Sequence, residues 1–138
     1  MATSNSDREI QENVIRMRYI ENQAKLVQQQ MIAAEEVIIE TATALNALKE
    51  MQKMSGKTES LTPLGAGVFI SSVLEKPSSV LVDVGSGVVA EKPVEEAIKT
   101  LEERQQSTRD SIRSFDEMLR SISAQYEASA QRVQELRK

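Results

Sequence analysis

Residues 61–70 read LTPLGAGVFI and residues 81–90 read LVDVGSGVVA. Set twenty positions apart, both fit Leu-x-x-[Leu/Val]-Gly-[Ala/Ser]-Gly-Val followed by two non-polar residues. All five glycines (Gly56, Gly65, Gly67, Gly85, Gly87) and all three prolines (Pro63, Pro77, Pro93) fall between residues 56 and 93. The flanks contain neither. Between residues 61 and 91 the runs Val68-Phe69-Ile70, Val73-Leu74, Val80-Leu81-Val82 and Val88-Val89 are rich in β-branched residues and of strand length. Gly-Ala-Gly and Gly-Ser-Gly supply positive φ for tight reversals, and Lys76-Pro77-Ser78-Ser79 supplies a turn between the two units. The pattern predicts four short strands in two β-hairpins. An isolated hairpin is marginal in water, and open strand edges invite pairing. The insert is therefore expected to be an assembly surface.

The flanks follow a different period. Stepping by three and four residues from Ile10 gives Asn13, Met17, Ile20, Ala24, Val27, Met31, Ala34, Ile38, Thr41, Leu45, Leu48 and Gln52. From Val94 the same stepping gives Ile98, Leu101, Gln105, Thr108, Ile112, Phe115, Leu119, Ile122, Tyr126, Ser129, Val133 and Leu136. Each series is apolar at all but three positions, which is a sustained coiled-coil repeat. Ser6-Asp7-Arg8-Glu9 fits a capping box, Gly56 suits the left-handed stop of the first helix, and Pro93 suits the first position of the second, with Glu95 and Glu96 at its positive end. Helices of about 45 residues would each run about 68 Å at 1.5 Å per residue. The resulting expectation is an α+β chain in three parts: a coiled-coil helix over 7–55, two β-hairpins over 56–92 forming the oligomerisation body, and a second coiled-coil helix over 93–138. The helices should form a long antiparallel hairpin, with Gln105 and Thr108 interrupting the seam to fix its register.

Most Met and Leu residues at this spacing are seam, and most Glu and Lys between them are a solvated face. Val14 and Ile15 lie off the seam beside Tyr19, as do Val37, Ile39, Ala44 and Met51 nearer the insert. These two apolar clusters predict two extra contacts, one against the β region or a neighbouring subunit and one facing outward.

Composition narrows the function. With two Tyr, two Phe and no Trp, large core-filling side chains are scarce. No Cys and no His removes disulfides, thiolate nucleophiles, His bases and nearly all zinc sites. A net charge of −4 argues against general nucleic-acid binding. MATSNSD at the start is unlike a signal peptide, and no apolar run reaches the ~20 residues of a membrane span. A cytoplasmic protein without membrane, metal or cofactor is expected. The Gly-x-Gly elements each run into another strand without a following Gly-Lys-Ser, so they lack the helix N-terminus or lysine that phosphate binding needs. The carboxylate pairs Glu35-Glu36 and Glu102-Glu103 lie on exposed helix faces. No catalytic constellation is present, and no enzyme is expected.

Two heptad helices around two Gly-x-Gly hairpins resemble the α-type subunits of archaeal prefoldin. The specific matches are Pro63-Leu64-Gly65-Ala66-Gly67-Val68-Phe69-Ile70, Val82-Asp83-Val84-Gly85-Ser86-Gly87-Val88-Val89, Glu91-Lys92-Pro93-Val94-Glu95-Glu96-Ala97 and Gln28-Gln29-Gln30-Met31. The β-type subunit has a single hairpin, so the duplication favours α. The resemblance implies a hexamer of two α and four β subunits whose hairpins form an intersubunit β-barrel. It further implies coiled-coil tips that hold unfolded client proteins without ATP and pass them to a group II chaperonin.

By this resemblance the client-binding tips are roughly residues 7–24 and 120–138, with Ile10, Val14, Ile15, Met17 and Tyr19 on one helix and Ile122, Tyr126, Val133 and Leu136 on the other. Apolar area there could bind unfolded segments at about 25 cal/mol per Å², weakly per tip and more strongly with several tips together. Oligomerisation falls to Leu64, Val68, Phe69, Ile70, Leu81, Val82, Val84, Val88 and Val89, with Gly65, Gly67, Gly85 and Gly87 as turn glycines. The competing expectation is a structural coiled-coil adaptor that oligomerises through its hairpins and uses its helices as spacers.

Overall fold

A computed structural model describes residues 2–138, with side chains from Asn5 onward. The order is α1 (Ala2–Gln52), β1 (Lys57–Gly65), β2 (Val68–Glu75), β3 (Ser79–Gly85), β4 (Val88–Pro93) and α2 (Val94–Arg137). This is the α+β plan of two long helices with two antiparallel hairpins between them. The chain divides into two compact units, residues 1–38 with 107–138 and residues 39–106. Both helices contribute a segment to each.

Three boundary expectations are corrected. The first helix runs from Ala2, so Ser6 lies inside it and forms no capping box. Ser, Asn and Asp each cost a helix only about half a kcal/mol, which does not stop one that has already begun. At the other end the helix stops at Gln52, where the Lys53 and Met54 amides donate to Glu50 and Met51 in tight i→i−3 turns. Gly56 follows in left-handed conformation (φ 84°) and redirects the chain into β1, its carbonyl accepting from the Lys76 amide at 3.1 Å. Pro93 closes β4 opposite Ser79, one residue before α2, and the Val94 amide donates to Ser78.

The two hairpins share one turn. Gly65 pairs with Val68 and Gly85 with Val88, leaving Ala66-Gly67 and Ser86-Gly87 as two-residue loops. φ is positive at both central residues of each loop (50° and 77°, 53° and 76°), as a type I′ turn requires. No atom lies within 4 Å of a Cβ built at Gly67 or Gly87, so backbone conformation rather than crowding selects glycine there. Each register slips once before its turn, leaving Leu64 and Val84 in equivalent bulges. In the second hairpin the Asp83 carboxylate accepts from the Gly85 amide at 2.8 Å and braces that bulge.

Burial separates the copies. In the unit of residues 39–106, Val82 packs with Leu48, Val94 and Ala97, flanked by Met51, Val80, Ile98 and Leu101. Lys92 Nζ donates to Thr100 Oγ1 at 3.2 Å, and the Arg104 guanidinium donates to the Asp83 carbonyl. Lys49 and Glu102 sit 3.7 Å apart beside the same helix contact. Hairpin β1–β2 buries no residue. Its Ser60 and Ser72 hydroxyls meet across the strands at 2.9 Å, the Thr62 hydroxyl donates to Ser72, and Lys57 faces Glu75 at 3.4 Å.

In the unit of residues 1–38 and 107–138, the heptad positions close one helix segment on the other. Ile20, Val27 and Val133 are buried, and Met17, Ala24, Met31, Ile112, Phe115, Leu119 and Ile122 are half-buried. Of both predicted seams, Gln52 alone is exposed.

Ala97 is fully enclosed, which lets β3 and the two helix segments approach closely. Ala97→Leu should overpack this contact and cost about 1–3 kcal/mol, read as a lower thermal midpoint by circular dichroism.

Candidate functional surfaces

Among the described residues the candidate sites are surfaces and shallow grooves. Among the described residues, no group of three or more His, Cys, Asp or Glu side chains could hold a metal. No helix among them is long and apolar enough to cross a membrane.

The expected tip residues divide into three groups. Ile15 and Tyr19 are exposed (66% and 64%). Ile10, Val14, Met17, Ile122, Tyr126 and Leu136 are half-buried along the helix contact. Val133 is buried within it, at 7%. Two shallow grooves flank Ile20 and Ile122. One, of about 390 Å³, is lined by Ala24, Gln28, Leu119, Ser123 and Tyr126 beside them. The other, of about 430 Å³, brings Arg16, Tyr19, Gln23 and Gln125 together. The small side chain of Ala24 opens the first groove, and Tyr19 walls the second.

Polar contacts fix this end. Arg132 Nε donates to Glu9 Oε1 at 2.7 Å, joining the helices, and its NH1 reaches Glu135 at 3.4 Å. The hydrogen bond and charge of Glu9 raise the Arg132 pKa above its already high value. Asn13, buried at a seam position, donates from Nδ2 to the Glu9 carbonyl at 2.8 Å, and Ser129 is buried at another seam position. Glu21 raises the Tyr126 phenol pKa, first through hydrogen bonding and then through its negative charge.

The expected oligomerisation residues also divide. Leu64, Val68, Phe69, Ile70, Leu81, Val84, Val88 and Val89 are exposed, from 46% at Val84 to 73% at Leu81. Val82 is 8% exposed and belongs to the chain's own core. Along β3 the alternation of Val80, Val82 and Val84 with Ser79, Leu81 and Asp83 sets Val82 on the more apolar face, opposite Leu81. Of the off-seam residues, Met51 packs on the core cluster, Ala44 is half-buried, and Val37 and Ile39 are exposed. Sequence inspection passed over Leu26 and Ile32, exposed at 54% and 57%. Their signal was available, since both are large apolar residues at outward heptad positions.

Comparison with known proteins places this architecture. The family profile of prefoldin subunits matches residues 20–138. The chain belongs to the prefoldin subunit family, a family of chaperones rather than of enzymes. It is 29% identical over 130 residues to prefoldin subunit alpha of Archaeoglobus fulgidus, covering 94% of this chain and 92% of that one. It is 31% identical over 114 residues to prefoldin subunit alpha of Methanocorpusculum labreanum, covering 83% and 78%. Among solved structures, a subunit of the filamentous PFD of Methanocaldococcus jannaschii superposes with a TM-score of 0.72 at 22% identity, covering 86% of this chain and 95% of that chain.

The Tyr126–Glu21 contact gives a pH prediction. A phenol pKa raised above its ordinary 10.0 in the folded state contributes stability that is present below that value and lost as pH rises through the folded pKa. Tyr126→Phe should therefore melt below the parent chain at neutral pH, and the two melting curves should converge above about pH 10.

Proposed function

We propose that this chain is an α-type subunit of a hexamer of two α and four β subunits, joined through its hairpins. The assembly holds unfolded proteins without ATP at its coiled-coil ends and passes them to a group II chaperonin. Its setting is the cytoplasm. The observation that carries the proposal is the split of exposed apolar area into two classes on surfaces with no internal partner. One class lies along the hairpin strands, where eleven large aliphatic or aromatic side chains face solvent beside unpaired strand edges. The other lies on helix surface near the chain termini, at Ile15 and Tyr19.

The chemistry suits the task. Burying a side chain such as Ile15 against a client is worth about 1.5–3 kcal/mol, too little for one contact to hold a chain. Several subunits presenting the same surface together raise the effective affinity. Half-buried Met17 adapts its unbranched, polarizable side chain to varied partners. A spacer-only role, as in a structural adaptor, leaves the exposure of Ile15 and Tyr19 without a use.

Two experiments test this. Mixed with a β-type partner, the chain should suppress aggregation of a chemically unfolded client, and deletion of residues 1–18 or the pair Ile15→Ser and Tyr19→Ser should weaken that suppression. Undiminished suppression by both altered assemblies would sink the capture surface, and no suppression by any form would favour the adaptor. In a separate measurement, Phe69→Asp or Val84→Asp should prevent assembly while helicity stays near that of the parent. A normal-sized complex by light scattering would count against the hairpins as the joint.

A further inference from the structure

The outward face of α1 carries more than a pair of helices needs. In the heptad frame of the seam, the positions turned away from α2 between residues 8 and 33 hold Ile15, Tyr19, Leu26 and Ile32, all more than half exposed. Beside them stand exposed Arg8, Arg18 and Lys25, against a single carboxylate, Glu12, on the same positions. None of these three cations makes an ion pair among the described residues. The chain as a whole has net charge −4, so this face is opposite in sign to the rest. The corresponding positions of α2 differ. Ser114, Ser121, Ala124 and Ala128 are small, and Met118 is the large apolar side chain exposed on that helix among the described residues.

From this asymmetry we infer that the outer face of α1 is a docking stripe for an acidic, amphipathic protein segment. That the segment belongs to a non-native client rests on the capture proposed above. Ile15, Tyr19 and Leu26 lie close together round the helix and Ile32 lies about 100° away on the opposite flank, so the apolar patch is about 26 Å long at 1.5 Å per residue and matches one partner helix of about 18 residues. Arg18 and Lys25 share one edge of the face with Ile32, so a partner must bury the apolar residues and bring its carboxylates to that edge. Asn22 and Gln29 sit within the patch and offer amide donors and acceptors to a peptide. The same amides disfavour a lipid surface, since entering hydrocarbon would strip them of hydrogen bonds. A second copy docking face to face would oppose like charges.

The test is fluorescence anisotropy on the full-length chain with two labelled peptides of about 18 residues, identical in apolar residues and carrying Glu or Lys at the polar positions. The Glu peptide should bind roughly tenfold more tightly, as three exposed charge pairs allow, and the difference should shrink in high salt. Arg18→Glu with Lys25→Glu should reverse the order of the two peptides. Leu26→Ser with Ile32→Ser should weaken both. All four positions are off the seam, so circular dichroism should show unchanged helicity.

Equal binding of the two peptides, or an order unchanged by charge reversal, would overturn the stripe. So would sedimentation of the chain with phosphatidylserine vesicles without peptide binding, which would assign the face to membranes, or a concentration-dependent dimer that excludes both peptides. A charge-ordered peptide preference in a chain whose assembly with the β-type partner fails to suppress client aggregation would support the stripe while refuting capture, so the two ideas fail separately.

Discussion

A seam between two helices buries one stripe of each helix and nothing more, and that limit governs the rest of this protein. Among the described residues no large side chain is buried to below 2% exposure, and the buried apolar set is short: Ile20, Val27, Leu45, Leu48, Val82, Val94, Ala97 and Val133. The chain exposes 10388 Å² at 15.3 kDa, where a compact monomer of that mass would expose roughly 7,100 Å². The scarcity of aromatics is part of the same economy, because a narrow contact between helices favours aliphatic and small residues over rings. Apolar surface that the seam cannot reach stays in water until another chain covers it. Exposure of this extent is a structural precondition for both assembly and capture.

The seam was legible in the sequence because its period repeats along each flank, so no single residue has to be right. Asn13, Thr41 and Ser129 interrupt the apolar pattern yet are buried where the repeat puts them. The glycine turns were legible for a different reason: two-residue loops with positive φ admit few residue types, and the sequence shows those types twice. Features set by a balance of small local terms were less visible. The Ser6-Glu9 box was outweighed by helix continuation to Ala2, and Gly56 marks the entry to β1 rather than the end of α1. Visible but unused was which side of β3 turns inward. Leu81 and Val82 are adjacent and both aliphatic, yet one is 73% and the other 8% exposed. The alternation of Val80, Val82 and Val84 with Ser79, Leu81 and Asp83 carried that signal, and Ala97 packs on the valine face.

Within the candidate surfaces, sequence reasoning found regions more readily than residues. Ile15 and Tyr19 were found because they break the seam pattern near a cluster of similar residues. Val133, expected both in the seam and among the tip residues, is buried in the seam beside the Glu9–Arg132 pair. Leu26 and Ile32 were missed because each adjoins a seam residue, Val27 or Met31, and only the helical frame turns them outward.

The duplicated hairpins show how local and tertiary physics divide the work. Their turns match in register, in positive φ at six residues, and in a bulge at Leu64 and at Val84, and differ in the Asp83 brace of the second. Their burial does not match. The second hairpin turns Val80 and Val82 onto Leu48, Val94 and Ala97, and is tied to α2 through Lys92 and Arg104. The first hairpin has the same turn and no core contact, only a cross-strand set of hydroxyls and one exposed ion pair. Exposed ion pairs contribute at most about 1 kcal/mol, and a two-stranded hairpin in water is marginal. The turn sequence is therefore sufficient to define the shape of β1–β2 but not to stabilise it. Leu61, Pro63, Phe69 and Val73 line one face of that hairpin, all exposed. Covering this face from outside the chain would supply the burial that the second hairpin already obtains from within, which makes the first copy the one whose order depends on a partner.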